Sequence, residues 1–149
     1  MSTLAEPEVR ARCCDRIARL DRNANPKWGR MTAHQMVCHL NDAFRVGAGE
    51  MYASPATNLL KRTVFKWIAL HSAVPWPQGL PTRPEIEQGC GGTPPSDWAR
   101  DCEALRASIL AFAGRQTFGV HPIFGKMTCG DWHTWGYRHV DHHLRQFGA

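Results

Sequence analysis

Five of the eight histidines in this 149-residue chain fall in its last 29 residues, at positions 121, 133, 139, 142 and 143. His139 and His143 are four residues apart, the separation at which imidazoles on successive helical turns converge on one ion. A neutral imidazole carries one donor and one acceptor. A pair of them set among tryptophans therefore either finds hydrogen-bond partners or binds a metal. An isolated H-x-x-x-H is weakly specific and most often marks ordinary core or surface histidines. A third inward histidine on another element strengthens the metal reading, and His39 is the candidate.

Two helices must position these three side chains. Thr32 and Gln35 match a capping box, which predicts a helix over residues 32–46, stopped by Gly47 and Gly49. At about 100° per residue, Met36, Leu40, Ala43 and Gly47 form one stripe with His39 at its border, facing inward. His34 falls on the opposite side with Arg45 and is expected to be solvated. Cys38 also faces away from the stripe and is expected to pack as a small residue rather than to ligate. Thr128 and Asp131 open a last helix that reaches residue 147, with Gly148 beyond its end. On it Trp132, Trp135, Gly136, His139, His143 and Gln146 lie within about 60° of His139, and His142 sits at the edge of that face.

The residues around the three histidines invite further roles. Gln146 is the better candidate to orient a ligand imidazole through its other nitrogen, because Asp141 points about 160° away from His139. His142 is a candidate proton carrier beside the site. His121, held before Pro122 on the approach to the last helix, can sit at the mouth of the site. It serves equally well as a loop histidine bonded to backbone.

The remaining chain reads as support. Val9, Cys13, Ile17 and Leu20 recur at helical spacing, giving an amphipathic first helix over residues 6–20. Residues 56–71 carry Leu59, Leu60, Val64, Phe65, Ile68 and Ala69 with only three basic residues, and read as a third helix buried on much of its surface. Residues 74–95 hold six prolines and four glycines, which excludes helix and predicts a long ordered loop. Ser96 and Asp97 can cap a fourth helix running from Trp98 to Gly114. The fold class expected is all-α: a single domain over residues 1–149, built as an up-and-down four-helix bundle with an additional short helix and the 74–95 loop over one end.

Composition narrows the function classes. Apolar residues make up 43% of the chain and charged residues 21%, ordinary for a soluble domain. The net charge of +5 comes from dispersed arginines rather than a basic block, so nucleic acid is not a favoured partner. With no signal-like apolar run and no membrane-length stretch, a cytoplasmic protein with no membrane partner is expected. Six cysteines without a C-x-x-C pair are expected to remain thiols.

The segments MTAHQMVCHLNDAFR and YRHVDHHLRQFG resemble the DinB-like superfamily of metal-binding four-helix-bundle proteins, and VPWPQGLPTRP and HPIFGKMTCGDWHTWGYRHVDHHLRQFG resemble an uncharacterised branch of it. The resemblance runs from about Trp28 onward. It implies three histidine ligands, one from the second helix and two from the last, which match His39, His139 and His143 here. It further implies zinc or nickel as the metal with water at open positions. Many members are dimers, so a homodimer is among the expected assemblies. Some relatives act as thiol-dependent transferases or isomerases, so a low-molecular-weight thiol or another small-molecule substrate is an expected partner.

Two functions follow from such a site. With three protein ligands the ion stays open to water or substrate, which suits a metal-dependent hydrolase or thiol transferase. With a fourth protein ligand the metal would mainly stabilise the bundle or support small-molecule binding.

Overall fold

In a computed structural model that describes residues 2–149, the chain is all-helical, with five α-helices and no strand among the described residues. These are α1 (Pro7–Ala18), α2 (Ala33–Gly47), α3 (Lys66–His71), α4 (Trp98–Gly114) and α5 (Cys129–Gln146). A five-residue π-helical stretch, Lys61–Phe65, runs directly into α3, and one 3-10 turn, Pro84–Ile86, interrupts the long loop. No helix among the described residues is long and apolar enough to cross a membrane.

The helix starts form where local chemistry directs. The Thr32 hydroxyl accepts from Gln35 N–H at 3.1 Å while the Gln35 side chain accepts from Thr32 N–H at 2.9 Å, closing a reciprocal capping box on α2. Thr128 and Asp131 do the same for α5. Asp97 caps α4 through Arg100 N–H at 2.8 Å. Gly148 follows α5 at φ +77°, the left-handed conformation that glycine adopts without a Cβ penalty.

Helix α2 is the middle of the core. It packs on α4 and α5 and against the Pro84–Ile86 turn, and it buries residues on every side. This corrects the expectation for His34: it is 7% exposed, because α4 covers the face opposite the His39 stripe. An amphipathic reading assigns a helix one buried face, and α2 has two. Around α2 the apolar core runs through Leu4, Ile17, Met36, Leu105, Ile109, Phe112, Trp132 and Leu144. Gly136 lets α5 approach closely, since a Cβ there would lie 2.7 Å from Leu4 Cδ1 and 3.3 Å from Phe44.

The 56–71 segment departs from expectation in a second way. Its helix begins only at residue 59, and of its apolar side chains only Leu70 is buried; Leu59, Leu60, Val64, Phe65, Trp67 and Ile68 are exposed. Apolar composition signals a need for burial and says nothing of whether a partner lies within reach. Instead, α3 is tied to the start of α5 by polar contacts, with Lys66 at 3.1 Å and His71 at 3.1 Å from the two oxygens of Asp131.

Candidate metal centre

His39, His139 and His143 converge between α2 and α5, each able to offer one ring nitrogen, with the three nitrogens within 4.8 Å of one another. Ring centroids are 5.3 Å apart for His39 and His139 and 4.9 Å for each of the other pairs. Residues chosen on helix geometry alone therefore meet at one point, and among the described residues no fourth metal-binding side chain joins this group.

Two of the three rings are held in a defined tautomer. His39 Nδ1 lies 3.1 Å from the carbonyl oxygen of Ile86, which only accepts, so Nδ1 carries the proton and Nε2 keeps its lone pair. His143 Nδ1 lies 2.9 Å from Gln146 Oε1. The Gln146 amide cannot be reversed, because its Nε2 donates to the Trp28 carbonyl at 2.6 Å. Gln146 therefore meets the His143 ring from one turn along the same face of α5. Asp141, pointing away, pairs with Arg16 at 2.7 Å and Arg145 at 2.9 Å. Metal-bound histidines characteristically donate their second nitrogen to such a carbonyl or amide, which fixes ring orientation and raises ligand basicity. His139 instead sits between rings, 4.9 Å from Trp135 and 5.8 Å from Trp76.

Burial favours the unprotonated form that a metal requires. It holds His39 below the usual imidazole range, with the Ile86 bond and Asp42 opposing. His139 and His143 both lie well below that range, first through burial; His143 and His39 then lower His139 further, and His39 lowers His143 while its Gln146 bond opposes. His39 and His143 are buried, while His139 is partly open to the surface.

The other two sequence candidates divide. His142 stands beside the cluster, 5.2 Å from the His143 ring and between Trp28 and Trp76. His121 is buried, and its Nδ1 accepts from the backbone N–H groups of Ile123 and Phe124 at 3.1 and 3.0 Å. That is the backbone-bonded reading, and burial then takes its pKa down to about 3. It packs on Trp132 and Trp135 rather than lining the cavity described next.

The 74–95 loop supplies what the sequence did not disclose. The Ile86 carbonyl orients His39, and Trp76, fixed by its Nε1–H donating to the Ala69 carbonyl at 2.9 Å, covers His139 and His142. The loop's far end is anchored by Thr93, whose N–H and hydroxyl both donate at 2.7 Å to the fully buried carboxylate of Asp42. Beside the histidines opens a cavity of about 700 Å³, lined by Trp28, Trp76 and His142 together with Lys27, Arg138 and Arg145.

Gln146 gives a direct test of this support. Gln146→Leu keeps the bulk but leaves His143 Nδ1 and the Trp28 carbonyl without a partner. Zinc affinity, measured by competition with a metallochromic chelator, should fall by about 10- to 100-fold, the usual cost of losing such a partner. Unchanged affinity would mean that the amide does not orient the ring. Gly29, at φ +78° beside Gln146, leaves no room for a Cβ, which would lie 2.8 Å from Gln146 Nε2.

No curated protein and no solved structure matches the chain. A family model described as "Protein of unknown function (DUF1569)" matches residues 8–149, a span that takes in the three histidines, Gln146 and the whole loop that supports them. The chain belongs to the DUF1569 family.

Proposed function

We propose that this chain is a DinB-like metal-binding protein in which α1, α2, α4 and α5 form a four-helix bundle, and His39, His139 and His143 hold one zinc or nickel ion at an open site. The observation that carries this reading is the hydrogen bonding behind the cluster: His39 and His143 each spend Nδ1–H on a fixed acceptor, so each keeps an unprotonated Nε2 free for an ion, in a group whose ligand nitrogens lie within 4.8 Å of one another. A bound ion would supply Lewis acidity, bringing the pKa of water or a thiol toward neutrality.

The chain's own residues favour hydrolase or thiol-transferase chemistry over a purely stabilising metal. Three ligands rather than four leave a position for substrate. The partly open His139 marks the side from which a ligand arrives, and Trp28 and Trp76 wall the adjoining cavity. His142, on that wall and with its pKa lowered by burial, is placed to take or return a proton. With Arg145 paired to Asp141 on the same wall, Lys27 and Arg138 leave the cavity lining net positive, suited to a small molecule carrying negative charge.

The test is metal reconstitution. Protein stripped with chelator should take up zinc, nickel or cobalt, and the cobalt-loaded form should change its visible spectrum on adding azide, as an exchangeable position requires. Failure to take up any of these ions overturns the reading. Uptake with a spectrum indifferent to azide would instead favour the closed, stabilising site.

A further inference from the structure

On the opposite side of α2, a second set of ligand-type side chains meets. His34 and Cys38 are four residues apart on α2 and face α4, where Asp101 lies one turn into the helix. His34 Nε2 is 2.8 Å from Asp101 Oδ2, Cys38 Sγ is 3.8 Å from the same oxygen, and the three ligand atoms all lie within 4.8 Å of one another. His34 and Cys38 are buried, at 7% and 3% exposure.

We propose that His34, Cys38 and Asp101 form a second divalent-metal site, suited to zinc, that ties the start of α2 to the start of α4. Zinc bonds of about 2.0–2.1 Å to nitrogen and oxygen and about 2.3 Å to sulfur place tetrahedral ligands roughly 3.4–3.6 Å apart. The Cys38–Asp101 separation of 3.8 Å lies only about 0.2 Å beyond that spacing, so the pair would close slightly on an ion. His34 and Asp101 are closer because a proton joins them, and an ion replacing the proton would open the pair by about 0.6 Å. A thiolate beside an imidazole and a carboxylate selects zinc or cobalt over magnesium or calcium, which take oxygen ligands.

The surroundings are built as those of a metal site are. Ser96 N–H donates to Asp101 Oδ2 at 3.0 Å and its hydroxyl to Oδ1 at 3.2 Å, so the carboxylate is aimed rather than free. Trp98 packs edge-on against the His34 ring at 5.3 Å and fixes its plane. The site shares no ligand with the histidine cluster, since His34 and His39 project about 140° apart around α2.

Cobalt binding tests this separately from the first site, because only a thiolate ligand gives an intense near-ultraviolet sulfur-to-cobalt charge-transfer band. The wild-type chain should bind two cobalt ions with that band present. Cys38→Ser should bind one ion and lose the band, while Cys90→Ser, at an exposed thiol, should change neither. His139→Ala, which disables only the first site, should bind one ion and keep the band. If the wild type binds a single ion whose band Cys38→Ser abolishes and His139→Ala leaves intact, the second site stands and the histidine cluster fails. If no band appears, or the band survives Cys38→Ser, the proposal is overturned and the group is a plain His–Asp ion pair beside a buried thiol.

Discussion

His139→Ala should cost this protein about a thousandfold in zinc affinity at the histidine cluster while leaving the metal-free fold intact. Structural zinc sites are worth about 10–16 kcal/mol, so one ligand in three carries roughly 4 kcal/mol, which is about three powers of ten. Of the three ligands, His139 is the informative one to remove. Truncating His39 strips the Ile86 carbonyl of its donor, and truncating His143 does the same to Gln146, so in both cases ligand loss mixes with unsatisfied polar groups. His139 is held by ring contacts with Trp76 and Trp135, so its removal isolates the ligand. The measurements are isothermal titration with zinc and urea unfolding of the metal-free variant, whose stability should stay within about 2 kcal/mol of wild type. An affinity unchanged by this substitution would sink the three-histidine assignment.

The second large effect is expected from acid. His39, His121, His139 and His143 all have pKa values depressed by burial in the folded chain, whereas in the unfolded chain each returns to about 6.5. Below about pH 6.5 the unfolded state therefore binds more protons than the folded one, and stability falls as pH falls. Each such histidine contributes a slope of up to about 1.4 kcal/mol per pH unit. Four together can remove several kcal/mol by pH 5, a large part of the ~5–15 kcal/mol typical of a domain. For His121 the loss continues down toward its folded pKa of about 3. Urea unfolding of metal-free protein at pH 7, 6 and 5 should show this decline, and zinc should move it to lower pH by competing with protons at the cluster. A stability that stays flat from pH 7 to 5 would contradict the buried, neutral state of these rings.

What the sequence disclosed was what is encoded locally. Thr32–Gln35 and Thr128–Asp131 specify helix starts within four residues, and once the starts are known the 100° rotation places His39, His139, His143 and Gln146 on facing sides. What it withheld was long-range. Nothing in the letters around Ile86 marks it as the acceptor for His39, because the group involved is a backbone carbonyl that every residue carries. His34 and Cys38 show helical ligand spacing, but their partner Asp101 is more than sixty positions away and belongs to a helix whose docking on α2 is a tertiary fact. The 56–71 segment departs from its sequence reading for the complementary reason: apolar side chains announce a buried surface, and the tertiary arrangement leaves Leu59, Leu60, Val64, Phe65, Trp67 and Ile68 facing outward.

The loop between α3 and α4 has one more implication, for how this chain can change over time. Surface connections ordinarily accept insertions and deletions at little cost. This one is pinned at three depths: Trp76 over the histidines, Ile86 on His39, and Thr93 on Asp42. Adding or removing a residue between any two pins would slide the Ile86 carbonyl out of register with an imidazole on another helix. A stretch that looks by composition like the freest part of the protein is thus expected to vary in sequence between its pins while its length stays constant.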